Sequence, residues 1–250
     1  MPDAPGARAD ARPAKTGDVI IDVRGIEKDY RSLRPLRVAS LQVRDGESLA
    51  LLGFDQATAE VFVNLVTAAT LPDAGEVRIF GTRTSDIQTP ERWLETLDHF
   101  GILGERAVVL DEMTVEENLI MPLTMALHDV DAATRDAARA LAAEVGLDAS
   151  TLQRPVAELA AAARVRLRLG RALATSPRVL LAEHPNATLA AEELTAFAAD
   201  YARIITRRAI TSIVLTADAK FAAATTARVL ALQPATGELK APSAWSRWFS

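Results

Sequence analysis

The chain predicts an α/β fold built on a mostly parallel sheet with an antiparallel β portion. Three patterns carry that reading. Between Glu158 and Gln233, helix-period and strand-like segments alternate, and such alternation covers a parallel sheet on both faces. Ser48 to Gly53 (SLALLG) is a short apolar run followed by a helical pattern, which suits a central strand leading through a tight loop into a helix. By contrast, VIIDV from Val19 and RVASLQV from Arg37 alternate apolar with other residues, as half-buried strands do.

Residues 1–17 are rich in Pro, Ala, Gly and charge without periodicity and are expected to be a disordered tail. Asp45-Gly46 supplies the turn into the central strand. A helix is expected from about Thr58 to Ala69, broken by Pro72, Asp73 and Gly75, with a strand from Glu76 to Gly81. Pro90 to Leu97 reads as helix and His99 to Glu105 as strand. Thr114 and Glu117 form a capping box that opens a mainly helical stretch. Asp131 starts a second helix, stopped at Gly146. Then follow helix Glu158 to Thr175, strand Arg178 to Glu183, helix Ala190 to Arg207, strand Thr211 to Thr216, helix Lys220 to Ala227 and strand Arg228 to Gln233. The last residues, 241–250, carry Trp245, Trp248 and Phe249, which either pack as a tail or meet a partner. There is no internal repeat.

The 250 residues suit one α/β domain, with room for a smaller inserted subdomain. With 49% hydrophobic and 24% charged residues the chain can bury a real core. A net charge of −5 gives no nucleic-acid footprint. Without cysteine there are no disulfides and no thiolate metal sites. Apolar stretches such as Val61 to Pro72 are too short to span a bilayer, and no basic segment followed by an apolar one opens the chain. A cytosolic protein is expected.

The segment Leu49 to Val66 has the layout of a phosphate-binding loop, G-x-x-x-x-G-K-[ST], in which backbone N–H groups cradle phosphates, the lysine reaches them and the hydroxyl holds magnesium. Here Gly53 is followed by Phe54, Asp55, Gln56, Ala57, Thr58, Ala59 and Glu60. The last three stand where glycine, lysine and the hydroxyl residue belong. Alone, the segment would be an ordinary strand, loop and helix.

Other landmarks follow in order: LPDAGEVRIFG from Leu71, LDEMTVEENLIMPL from Leu110, RLRLGRALATSPRVLLAEHP from Arg166 and SIVLTAD from Ser212. Together with LALLG from Leu49 they resemble the ATP-binding subunit of ABC transporters over about residues 19–240. The resemblance implies a P-loop NTPase-like ABC ATPase fold over 18–240, with an inserted helical subdomain at about 106–170. It also implies where the family's chemistry would lie. The lysine position is Ala59, the magnesium hydroxyl is Glu60, and the glutamine that couples metal and permease is Glu105. The signature motif reads Leu159-Ala160-Ala161-Ala162-Ala163. The magnesium aspartate is Glu183, the general base is His184, the dimer-interface aspartate is Ala190 and the switch histidine is Ala217.

Asp55 and Glu60 add negative charge where a polyphosphate would sit, and side chains at Gln56 and Thr58 crowd a backbone approach that glycine would allow. Tyr30 matches the aromatic on which the family stacks adenine, although a tyrosine near a strand end also serves plain packing. Glu183 could equally be a solvated carboxylate at the sheet edge, and His184 a substitute base. His99 and His128 have no spaced partners and read as surface or boundary residues. The expectation is a pseudo-ATPase with no catalytic residue, no metal and no nucleotide, ATP and Mg being the doubtful exceptions. It would act as a structural or regulatory subunit, cytoplasmic or peripheral at the inner membrane face. Its partners would be a membrane permease, reached through Glu105 to Ile120, or another ABC ATPase in a dimer. The alternatives are an ATP-hydrolysing subunit with an atypical site and a scaffold unrelated to transport.

Overall fold

The architecture is that of a computed structural model, which describes residues 17–124 and 129–242. Two sheets divide the strands. The first is antiparallel and contains β1 (Val19–Lys28), β2 (Leu36–Arg44), β4 (Ala74–Ile79) and the two-residue β5 (Thr82–Arg83), in the order β2-β1-β4-β5. The second contains β3 (Ser48–Leu52), β6 (Phe100–Leu103), β7 (Val179–Glu183), β8 (Thr211–Thr216), β9 (Arg228–Gln233) and β10 (Glu238–Lys240). Its order is β10-β9-β3-β8-β7-β6, and every neighbouring pair but β10-β9 is parallel.

Side chains of a strand alternate between faces, so one parallel sheet supplies two cores. Leu49, Leu51, Val179, Leu181, Ile213 and Leu215 point to one side. There they meet α1 (Gln56–Val66) and the inner face of the antiparallel sheet, including Ile21, Val23, Val77 and Ile79. Ala50, Leu180, Ala182 and Val214 point to the other side. That core holds α3 (Val115–Ile120), α4 (Ala132–Glu144), α5 (Ala161–Ala174), α6 (Ala191–Arg208) and α7 (Ala219–Thr225). The remaining helix, α2 (Pro90–Leu97), has no buried residue. Burial of both faces explains why β3, β7 and β8 read as mainly apolar runs, while β2 alternates; β1 departs from the expected alternation, with Ile20 to Val23 buried in succession.

Local signals account for most element starts. Thr114 and Glu117 form both halves of the capping box of α3, with Glu117 also accepting the Thr114 N–H at 2.8 Å. Asp131 caps α4 through the Thr134 N–H at 2.7 Å. Asn118 locks the approach to α3: buried, it accepts from the Leu110 N–H at 2.9 Å and donates to the Leu110 and Thr114 carbonyls.

Several boundaries differ from the sequence reading: β4 lies two residues earlier than expected, β6 stops at Leu103 and α7 at Thr225. Glu158 does not open α5, because Val156–Glu158 is a separate 3-10 turn and the α-helix begins at Ala161. The first helix begins at Gln56 rather than Thr58, and ends at Val66 with Thr67 as its C-cap. The short strands β5 and β10 were not expected; each is a hairpin return whose few residues carry too little periodicity to read. The expected tail over 1–17, Trp245, Trp248, Phe249 and His128 lie outside the described residues, apart from Gly17. His99 is half-buried with its ring edge-on to Phe80 at 5.0 Å, a boundary position, and burial, followed by the nearby Arg178 charge, holds its pKa below the usual histidine value.

Candidate functional site

Because β3, β6, β7 and β8 run parallel, their carboxyl ends reach one edge of the sheet, the side of an open α/β fold where ligands bind. The loops after them deliver Gly53 to Asp55, Gly104 to Arg106, His184 and Ala217 to that edge.

The loop after β3 is closed by the chain itself. Gly53 has φ +85°, and a Cβ there would lie 3.2 Å from the Leu232 carbonyl, so backbone conformation and tight space both favour glycine. Phe54 turns inward, fully buried, edge-to-face on Phe62 with ring centroids 5.4 Å apart. Asp55 then caps α1: its Oδ1 accepts the Thr58 N–H at 2.8 Å and the Thr58 hydroxyl at 2.7 Å. These bonds, the backbone one foremost, hold its pKa below the ordinary carboxylate range, with a smaller contribution from His184. An Asp N-cap is also favoured by the positive end of the helix dipole. Gln56, Ala57 and Thr58 are wound into the first turn of the helix, and Ala59 is fully buried in the core.

This arrangement does not fit a nucleotide triphosphate. A phosphate would need the N–H groups at the start of α1, yet the Thr58 N–H already serves a carboxylate of the chain. Nothing at position 59 can reach an outer phosphate, since Ala59 is sealed inside.

The second half of the cluster centres on Arg106, which stands at none of the family's motif positions. Arg106 lies immediately after Glu105 in the loop leaving β6. Its guanidinium forks onto the carboxylate of Glu183, with Nε donating to Oε2 at 3.1 Å and Nη2 donating to Oε1. Nη1 reaches Glu60 Oε1 at 3.4 Å and Asn64 Oδ1 at 3.3 Å. The Glu183 side chain has 0% exposure, against 35% for Arg106 and 44% for Glu60. Glu183, more than any other neighbour, drives the guanidinium pKa above its ordinary value. Gly104 makes room for this pair, since a Cβ there would lie 3.2 Å from the Cβ of Glu183. A magnesium ion does not fit between Glu60 and Glu183 while Arg106 is seated there. Glu183 is therefore no solvated edge carboxylate, and the charge of Glu60 is offset rather than added.

His184 has φ +44°, a left-handed backbone that is uncommon outside glycine. Its N–H donates to the Leu215 carbonyl at 2.8 Å. Its ring lines a small cavity with Glu105, Arg168 and Glu183, and both its Nε2 and Arg168 Nε are buried without a hydrogen-bond partner among the described residues. Glu105 itself is exposed. Ala160 is the N-cap of α5 and offers no side-chain cap, and Ala161, Ala162 and Ala163 form its first turn. Ala217 stands exposed after β8 and Ala190 opens α6, where Glu193 accepts its N–H at 3.0 Å. Tyr30 is half-buried, packed against the first core beyond β1. Among the described residues no group of three or more His, Asp or Glu is placed to hold a metal ion.

The structure thus brings Asp55, Glu60, Glu183 and His184 to one edge, with Arg106 between Glu60 and Glu183, whereas the alanine positions bring no polar side chain to it. Arg106 had one readable signal: carboxylates at 60, 105 and 183, all assigned to one site, require a counter-charge.

A parallel sheet with a strand–loop–helix at Gly53 and an acidic strand end at Glu183 defines the class of P-loop-type nucleotide-binding cassettes. Residues 36–187 match the model of the ABC transporter family, and the chain belongs to that family as its nucleotide-binding domain. The lipoprotein-releasing system ATP-binding protein LolD of Francisella tularensis subsp. holarctica is 26% identical over 209 residues, 82% of this chain and 90% of that protein. LolD of Maricaulis maris is 30% identical over 176 residues, 69% of this chain and 76% of that protein. Among solved structures, cbiO1 of Clostridium perfringens, part of an ABC transporter complex, superposes with a TM-score of 0.76 at 16% identity, covering 93% of this chain and 91% of that one. A dimeric bacterial ABC transporter cassette gives a TM-score of 0.73 at 20% identity, covering 89% and 97%.

Proposed function

We propose that the protein is a catalytically inactive member of its family, a pseudo-ATPase that serves a membrane transport complex as a structural or regulatory subunit. The observation that carries this is the start of α1. Asp55 holds the N–H and hydroxyl of Thr58, and Ala59 is buried where a lysine would have to project. The chain's own carboxylate sits where a phosphate would be received, so the fold needs no nucleotide and no magnesium there.

The names of the relatives support the setting. LolD is the ATP-binding protein of a lipoprotein-releasing system, and cbiO1 is part of a transporter complex. A membrane permease, or a second ABC ATPase, is the partner this implies. The segment Glu105 to Ile120 is the proposed permease contact; it presents Val108 and Leu110 to solvent at 68% and 39% exposure. No helix among the described residues is long and apolar enough to cross a membrane, so a place at the inner membrane face would come through that contact.

The test is thermal unfolding with and without millimolar Mg-ATP, on the wild type and on Tyr30→Ala. A ligand at about 100 times its Kd adds about 2.7 kcal/mol and raises Tm visibly. The expected result is no shift in either protein. A shift that disappears in Tyr30→Ala, or ATP turnover that falls on Glu183→Ala or His184→Ala, would overturn the reading in favour of an ATPase with an atypical site.

A further inference from the structure

The seat of Arg106 has the composition of a cation site. Glu60 and Asn64 are one helical turn apart on α1 and face the same way. Across from them stands the fully buried carboxylate of Glu183, at the end of β7. Two carboxylates and an amide oxygen are hard oxygen donors, the set that suits magnesium, manganese or calcium. What fills the space between them is a planar guanidinium, anchored on the loop after β6, with Nε and Nη2 on Glu183 and Nη1 on Glu60 and Asn64.

We infer that Arg106 is a resident cation: it does permanently, and from within the chain, what a divalent ion would do between Glu60 and Glu183. Three elements meet at this charge, namely α1, the end of β7 and the loop that leads from β6 towards α3. They are tied together whether or not any ligand is present. An ionised carboxylate buried without a partner is strongly unfavourable, so Glu183 keeps its charge only with a cation beside it. A tethered one is always at hand. The corollary is specific: removing the guanidinium uncovers a divalent-cation site made of Glu60, Asn64 and Glu183.

This inference deepens the pseudo-ATPase reading, and its experiment omits nucleotide so that the two fail separately. Manganese binding to the full-length chain is followed by electron paramagnetic resonance, and Tm is recorded with and without millimolar manganese, with calcium and magnesium for comparison. The wild type is expected to take up no manganese at this site and to show no Tm shift beyond an ionic-strength control. Arg106→Ala is expected to have a lower Tm in chelator, to bind one manganese ion and to recover Tm on binding. Adding Asn64→Ala or Glu60→Gln to Arg106→Ala should weaken that binding at least tenfold, an estimate from the loss of about 1.4 kcal/mol with one ligand.

Arg106→Lys guards against a variant that does not fold. It keeps the charge without the fork, and should remain folded and indifferent to manganese. The inference is overturned if the wild type binds manganese in a way that Glu60→Gln abolishes. It is equally overturned if folded Arg106→Ala binds none, or if Arg106→Lys takes up the ion as Arg106→Ala does.

Discussion

Two helices of this protein begin at the positions where its family would hold nucleotide, and they begin differently. Helix α1 opens on Asp55, whose carboxylate takes the Thr58 N–H and hydroxyl, and its next two turns bring Glu60 and Asn64 to Arg106. Helix α5 opens on Ala160, with no side-chain cap and no acidic residue in its first turn. At the first, the chain's own side chains cap the helix and meet the charge at the sheet edge. At the second no side chain caps the helix, which is held by its core residues, such as Val165, Leu167 and Leu169. A helix can form with either start, because most of its stability comes from packing its apolar face. Only the first start has a capping carboxylate and a buried ion pair beside it, and that difference can be measured.

The largest effect belongs to the cation beside α1. Arg106→Ala strips Glu183 of its partner. Breaking a fully buried pair costs about 3–5 kcal/mol. With the Arg106 side chain 35% exposed, water relieves part of this, and the expected loss is about 2–3 kcal/mol. The counterpart at α5 is Arg164, which pairs with the half-exposed Asp111 at 3.0 Å and donates to the Ala157 carbonyl. Arg164→Ala should cost about 1 kcal/mol or less. Urea unfolding of the two variants measures both. Equal losses would mean that the Arg106 pair is no more than a surface bridge.

The caps come next, with opposite signs. Asp55→Ala leaves the Thr58 N–H without its acceptor and should cost about 1 kcal/mol. Ala160→Ser gives α5 the cap it lacks. The backbone at Ala160, φ −64° and ψ 159°, is already extended as an N-cap requires, so a gain of about 0.5–1 kcal/mol is expected. If Asp55→Ala were neutral, the α1 terminus would be as bare as that of α5, and the contrast would fall.

How far the chain could be read before folding follows the same division. Thr114, Glu117 and Asp131 announced their helices because capping is local and depends on a few adjacent residues. The bounds of β8 and β9 agree with the sequence, since the apolar runs IVL and VLAL each fill the middle of a strand that pairs in parallel with β3. Motif lookup also located the edge where Asp55, Glu60, Glu183 and His184 gather. It did not reveal what those residues do there. Asp55 is itself an N-cap residue, yet from sequence the helix is expected to start at about Thr58 and Asp55 is taken only as charge. The ion pair of Arg106 with Glu183 spans 77 residues of chain, and no local pattern reports such a partnership.

The smallest effect separates the charge of Asp55 from its cap. Asp55→Asn keeps an oxygen that can accept the Thr58 N–H, and asparagine caps helices about as well as aspartate. What is lost is the negative charge at the positive end of α1, about 0.3–1 kcal/mol for an exposed group. Folding lowers the Asp55 pKa, so the charge stabilises the native state above the unfolded-state value of about 3.9. That contribution disappears as pH falls through the lower, folded-state pKa. The wild type should therefore be slightly more stable than Asp55→Asn at neutral pH. The gap should close between about pH 4 and the acid limit of the folded protein. Asp131 caps α4 in the same way, and its bonds to Thr134 likewise lower its pKa, so the difference between the two urea curves, rather than either alone, carries the result. A gap that stays constant down to low pH would show that the carboxylate acts at α1 by shape alone.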